Sequence, residues 1–279
     1  MTPALHPMPS NHDAEQAVIK SPIVWSCGYG TNSTALAVGL VEHGESYDLA
    51  MFADTGGERP ELYAYQSILN AYLHRHHLPP VMTVWKKRAD YTRLTLEQDC
   101  LEQHSLPSVA YGFKTCSQKY KIAPQEKVLN HWEPAVQAWK RGEKVIKLIG
   151  YDAGEAHRAT RYHGDDKYTL RFPLIEWGWG RDECIAAIER AGLPQPGKSA
   201  CFFCPSSKKH EIKDLADKHP DLMARALVME ANAELTTIKG LGRNFAWADI
   251  VKAHRDQLDM FSEPPEMLCA CYDGGEEEQ

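Results

Sequence analysis

The residues of this chain best equipped for chemistry are its cysteines, a cluster of lysines and one glycine-rich turn. Cys201 and Cys204 enclose two residues in "SACFFCP", and Cys269 and Cys271 enclose one in "LCACY". Cys116 stands in "GFKTCSQKYKIAP" with Lys114, Lys119 and Lys121 around it. Those cations could lower its thiol pKa or meet phosphate, or they could form a solvated helix face beside a buried cysteine. A CxxC spacing suits a redox pair, half of a zinc site or part of an iron–sulfur site. A redox pair normally opens a helix inside a thioredoxin-type βαβ unit, and the turn-rich "LPQPGKSACFFCP" is not such a context, so metal is the preferred reading. The glycine turn lies in "IVWSCGYGTNSTAL", residues 23–36. Its Gly28 and Gly30 allow close backbone approach, and a helix is expected to open near Ser33, so amide N–H groups and a positive helix end would face an anion. The pattern is neither GxxxxGK[ST] nor GxGxxG. A tight βα turn capped by Asn32 or Ser33 fits the same residues.

Such groups need a frame. Short apolar runs at 23–27, 47–53, 80–85 and 145–151, with a fifth at 169–177, read as buried strands. Helical patterns at 33–44, 60–76 and 181–191 alternate with them. Strands separated by helices predict βαβ units and a parallel sheet with helices on both faces. Beyond Gly192 the composition changes to the cysteine-bearing turn and then to helical stretches near 208–218, 220–238 and 246–260. The expected organisation is a flexible segment over 1–20, a nucleotide-binding domain over 21–195, a cysteine-containing helical lobe over 196–270 and an acidic tail over 271–279.

Eight cysteines in a chain with no secretory signal read as thiols or ligands rather than a disulfide framework, and the protein is expected to be cytoplasmic. No apolar run approaches the ~20 residues of a membrane span. The net charge of −7 gives no global electrostatic case for nucleic acid, although a local basic channel is compatible with it. Cys27, Cys100 and Cys184 fall in strand or helix patterns and are expected in the core.

"GYGTNSTAL" resembles the SGGxDS loop of the PP-loop, or adenine nucleotide alpha hydrolase, superfamily. The alignment puts Gly30 on the second glycine, Asn32 on the aspartate and Ser33 on the final serine. Gly28 and Tyr29 replace the leading serine and glycine, and the amide of Asn32 removes a charge that could help place magnesium. "FADTGGERPELYAY" is similar to the DTG-E-PET signature of the phosphoadenosine phosphosulfate (PAPS) reductase branch, with Asp54 and Thr55 at the end of the second strand. "GYDAGEAHRATR" resembles that branch's G-x-R-x-x-E-S-x-x-R segment, offering Gly150, Glu155, His157, Arg158 and Arg161, though Asp152 stands near the place of the early basic residue. The lysine-rich segment around Cys116 and the "GLP-P…S-C-x-x-C-P" turn complete five ordered matches over residues 22–212.

The resemblance implies a Rossmann-like PP-loop fold that binds ATP and Mg2+ and cleaves between the α and β phosphates to adenylate an acceptor, which sulfur can then attack. The nucleotide-binding residues it implies are Gly28, Tyr29, Gly30, Thr31, Asn32, Ser33, Thr34, Asp54, Thr55, Gly150, Glu155 and Arg158. Asn32, Ser33, Lys121 and Arg158 would stabilise charge on the departing pyrophosphate. For the metal, Cys116, Cys201 and Cys204 give three thiolates, and the tail gives a fourth, Cys271 or Cys269, with His210 a weaker candidate. Such a set suits a [4Fe-4S] cluster or structural Zn2+, and three ligands would leave an open iron able to carry sulfur. The acceptor could be nucleic acid, and a sulfur-donor protein is a further expected partner. PAPS reduction is a second reading, weakened because the tail reads "CACYDGG" rather than "ECGLH". A non-catalytic nucleotide-binding module is a third.

Overall fold

A computed structural model describes residues 20–107, 109–110, 113–161, 165–242 and 244–261. The architecture is α/β, with a five-stranded parallel sheet between helices. In chain order the elements begin with β1 (Ile23–Cys27), α1 (Thr31–Glu42), β2 (Leu49–Ala53), α2 (Pro60–Arg75), β3 (Val81–Val84) and α3 (Leu96–Glu102). A two-residue antiparallel pair follows, β4 (Val109–Ala110) and β5 (Phe113–Lys114). Then come α4 (Thr115–Ser117), a π-helical turn over Gln118–Ile122, α5 (Ala123–Leu129), α6 (Glu133–Lys140), β6 (Val145–Ile149), a 3₁₀ turn over Ala153–Glu155 and α7 (Ala156–Ala159). The chain continues through β7 (Tyr168–Arg171), α8 (Pro173–Glu176), α9 (Arg181–Arg190), α10 (Lys209–Lys218), α11 (Pro220–Asn232) and α12 (Trp247–Phe261).

The sheet order is β3-β2-β1-β6-β7. Chain order therefore runs outward in both directions from the β1/β6 boundary, and in open α/β sheets the crevice beyond the strand ends at such a boundary is where ligands bind. Alternation along β1 shows how the strands are held. Ile23, Trp25 and Cys27 join a core with α1, α2 and α9, whereas Val24 joins a core with α5 and α6 on the opposite face. Both faces being covered, the strands read as unbroken apolar runs. A third apolar cluster unites Phe202, Phe203 and the helices α10, α11 and α12 with Leu96, Cys100 and Tyr120 from the earlier part of the chain. No helix among the described residues is long and apolar enough to cross a membrane.

Several boundaries differ from those expected. The helix after β1 starts at Thr31 rather than near Ser33, because Gly30, in extended backbone, caps it without a side chain. The fifth strand is β7 at 168–171, and the rest of the apolar run turns into α8 at Pro173, whose fixed φ and missing N–H favour a first helical turn over a ladder. The helix expected to reach 238 stops at Asn232, before a run rich in β-branched residues that leads to Gly240. There Glu230, in the last turn of α11, organises the start of α12. Its Oε2 accepts from the Leu241 and Trp247 N–H groups at 2.7 and 2.9 Å, and its Oε1 accepts from Ala248 N–H at 2.9 Å.

Packing at α1 gives one test of the fold. A Cβ on Gly39 would stand 2.2 Å from the Trp177 ring. His43 stacks on that indole at 4.4 Å and Trp179 lies against it at 5.3 Å, so the ring has little room to yield. Gly39→Ala gains ~1 kcal/mol of helix propensity but incurs an overpacking cost of ~1–3 kcal/mol. A net loss is expected, read as a lower urea midpoint with an unchanged slope; a raised midpoint would show that the indole moves freely.

Candidate nucleotide and thiol site

The turn after β1 is set from below by Tyr29. Its backbone is left-handed, with φ of 55°, a conformation costing a non-glycine residue ~1–2 kcal/mol. The ring is buried edge-on against Phe52, with centroids 5.0 Å apart, and its hydroxyl accepts from the Asn70 amide at 3.2 Å. Burial of this ring offsets the strain. Tyr29 thus anchors the turn, and its contact with any phosphate is through the backbone. Thr31 and Thr34 are buried as well. Ser33 turns back, its Oγ accepting from the Gly28 N–H at 2.8 Å. With Gly30 offering no capping oxygen, no side chain caps the first turn of α1, a backbone arrangement that can receive an anion.

Across the switch point, Gly150 abuts this turn so closely that a Cβ there would lie 3.3 Å from the Asn32 carbonyl oxygen. The Asn32 side chain donates to Asp152 Oδ2 at 3.1 Å and Glu155 Oε2 at 3.0 Å, and its Oδ1 accepts from Arg181 at 3.4 Å. Asp152 also caps the 3₁₀ turn by accepting from the Glu155 N–H at 3.1 Å. Glu155 is ion-paired with Arg158, whose guanidinium lies 4.1 Å from the Tyr151 ring centroid. Asn32, Ser33, Gly150, Glu155 and Arg158 therefore share one crevice, with Asp152 and Arg181 added to it. His157 and Arg161 are exposed nearby.

The end of β2 forms the other wall. Asp54 is buried; its Oδ1 accepts from Gly56 N–H at 2.7 Å and Tyr63 O–H at 2.9 Å, and its Oδ2 pairs with Arg93 at 2.7 Å. Thr55 Oγ1 lies 3.0 Å from Cys201 Sγ. Residues 57–58 pair with 201–202, through a Glu58–Cys201 bridge and a Phe202 N–H to Gly57 carbonyl bond of 2.7 Å. Just before, Ser199 Oγ donates to the Gly28 carbonyl at 2.5 Å. The segment carrying CxxC is thereby laid across the ends of both β1 and β2.

Lys121 lies with the thiols rather than with Asn32. Its ammonium is 3.4 Å from Glu58 Oε1, and Glu58 is fully buried, its Oε2 without a hydrogen-bond partner among the described residues. Burial alone would lower the Lys121 pKa, but the Glu58 carboxylate and the Cys201 and Cys204 thiols together raise it, so the cation is retained. A lowered Cys116 thiol pKa is one of the readings the neighbouring lysines allow. Lys121 and Lys114 do act in that sense, but burial and then Cys204 act against them, and the net shift is upward. Burial, reinforced by Glu58, pushes the Cys201 thiol well above its ordinary range. Cys204 is near enough to both Cys116 and Cys201 to push their thiols up, yet no three His, Cys, Asp or Glu side chains among the described residues converge on a single ion. Cys269 and Cys271 lie outside the described residues. His210 is exposed in α10, and Cys27, Cys100 and Cys184 are buried.

Reading by sequence overlooked Ser199, Arg181 and Arg93, whose partners are distant along the chain, and Tyr63, whose partner Asp54 lies on the neighbouring strand end nine positions back. Glu58 had a signal: it is the acidic residue inside the DTG-E-PE stretch itself.

No family model and no curated protein matches the chain. Among solved structures it is similar to a U34-tRNA thiolase, NcsA, from Methanococcus maripaludis with its [4Fe-4S] cluster. That alignment covers 92% of this chain and 79% of the other at 14% identity and a TM-score of 0.41. No residue here takes its role from it.

Proposed function

We propose that this protein is an ATP-using enzyme of PP-loop, PAPS reductase-like type that adenylates an acceptor for sulfur transfer to nucleic acid. The observation that carries the reading is the segment 199–204, which touches the phosphate-type turn through Ser199 and the end of β2 through Cys201. The phosphate-type turn and the thiols therefore lie at one end of the sheet, which supports nucleotide and sulfur chemistry at a shared site. An acceptor carbonyl oxygen attacks the α-phosphorus, the bond to the β-phosphate breaks, and pyrophosphate departs against the amides of the first turn of α1; Mg2+, when bound with ATP, would offset the charge of the leaving group. Ser33 and Asn32 orient that turn, and Arg158 is the nearby cation that can exchange Glu155 for phosphate. Hydrosulfide then adds at the activated carbon, AMP leaves with the oxygen and a proton is lost; a sulfur-donor protein would deliver that sulfur as sulfide.

The thiols suit a multi-iron cluster better than one zinc ion. The three do not close on a single ion among the described residues, and burial, with Cys204 beside them, pushes the Cys116 and Cys201 thiols up, so a strong positive charge is needed to form their thiolates. Cys116, Cys201 and Cys204 would hold such a cluster, and when bound it would supply an open iron position for sulfur. The test is anaerobic purification with iron and sulfide analysis, alongside pyrophosphate release from ATP with RNA and DNA acceptors. The expected result is several irons per chain, lost in Cys116→Ser, Cys201→Ser and Cys204→Ser, and acceptor-dependent pyrophosphate. ATP binding without pyrophosphate release would instead mark a nucleotide-binding module, and a colourless protein with one zinc would make the thiols structural.

A further inference from the structure

Between β3 and α3 the chain makes a small hairpin whose tip stands outside the nucleotide and thiol site, to which it is joined through Arg93 and Asp54. Lys87 pairs with Arg93, Arg88 N–H donates to the Thr92 carbonyl at 2.9 Å, and Leu94 N–H donates to the Lys86 carbonyl at 2.9 Å. Its tip is fixed: Asp90 Oδ1 accepts from the Thr92 N–H and hydroxyl at 3.0 and 2.6 Å. Tyr91 at that tip has a left-handed backbone, φ 67°, and a side chain 81% exposed. A bulky aromatic held in strained backbone and turned into water gains nothing for the fold, and such strain gathers where a surface is used.

The hairpin is moored at the ligand end of the sheet. Arg93 is paired with Asp54 at 2.7 Å, and Lys86 with Asp99 at 3.0 Å and with the Tyr120 hydroxyl at 3.1 Å. Trp85, at its base, is 37% exposed, with the Arg93 guanidinium 5.7 Å from its ring centroid. Residues 85–93 carry four cations and one acid, and 113–121, which meets the hairpin where Tyr120 bonds Lys86, carries three lysines and no acid, in a chain of net charge −7. Lys86, Arg88 and Arg93 are paired with Asp99, Glu102 and Asp54, so the cations turned outward are Lys87 and the exposed lysines of the second segment. Lys87, Lys114 and Lys119 are exposed.

We propose that this hairpin is the docking surface for a single-stranded stretch of nucleic acid, with an unpaired base stacked on Tyr91 and the phosphate backbone running over the exposed Lys87 and Lys119. Aromatic platforms beside a basic track are the general means of holding unpaired strands. The inference deepens the proposed function by naming the acceptor's class, and it places that acceptor one ion pair away from the end of β2.

The test is fluorescence anisotropy of the full chain with short labelled single-stranded RNA and DNA, with ATP binding measured on the same samples. Binding is expected to weaken as salt rises. Tyr91→Ala should weaken it on the order of tenfold, with Tyr91→Phe close to the parent, since stacking needs the ring and not the hydroxyl. Lys87→Ala should reduce the salt slope by about 1. The tighter of the RNA and DNA arms identifies the acceptor chemistry. Equal affinity of Tyr91→Ala and the parent would overturn the proposal. So would absence of binding to both strands at low salt, including the case in which the surface captures a protein instead. ATP affinity should be the same in all three variants, and a parent chain that binds oligonucleotide but no ATP would count against the enzyme reading alone.

Discussion

Gly30→Ala is expected to reduce ATP-dependent pyrophosphate release by about a hundredfold while leaving the chain folded. The backbone at Gly30 is ordinary extended chain that any residue adopts, so conformational freedom is not the issue. Space is. A Cβ at this position would lie 2.9 Å from the Ser199 Cβ, with the Ser199 backbone nitrogen at 3.7 Å. Relief must come from a shift of the turn or of the 198–200 segment, because the obstructing atom is adjacent to main chain rather than the end of a flexible side chain. Either shift disturbs the Ser199 bond to the Gly28 carbonyl and re-aims the amides that face the phosphates. Displacements of ~1 Å at such a cradle cost on the order of 10²-fold in rate. Pyrophosphate release and ATP binding are the readouts, with far-UV circular dichroism to show that the sheet is intact. Parental turnover in Gly30→Ala would mean that Ser199 is no wall of the site.

The largest stability loss is expected from Glu230→Ala. Three backbone N–H groups, of Leu241, Trp247 and Ala248, donate to this one buried carboxylate. Hydrogen bonds to a charged group contribute ~1.5–3 kcal/mol each, and water entering the vacated space recovers part of the loss. A net destabilisation of about 3–5 kcal/mol follows. It should be accompanied by loss of amide-exchange protection at the start of α12. Glu230→Gln should rescue it only in part, since an amide has a single acceptor oxygen. A loss below ~1 kcal/mol for Glu230→Ala would show that solvent replaces the carboxylate with little cost.

The parts of this architecture that could be read from sequence are those whose causes are local. Apolar runs of strand length separated by amphipathic helices announce a doubly covered parallel sheet, and β1, β2, β3 and β6 lie within the runs assigned to them. The run 169–177 misled because apolar residues continue past Arg171, and only Pro173 marks where strand becomes helix. Residues placed by the long crossovers were illegible. Asn32 meets Asp152 and Glu155 across 120 and 123 positions, and Ser199 meets Gly28 across 171. Lysines next to Cys116 suggested a lowered pKa, but composition cannot show burial, and burial decides the sign.

Asn32 takes on a different meaning beside these partners. Its amide nitrogen is shared between two carboxylates, so the negative charge at this edge of the turn sits one side chain away from position 32. An aspartate at 32 would crowd three carboxylates together, with Arg181 and Arg158 the cations nearest to offset them. Charge at this edge of the turn is therefore a property of three positions held in common.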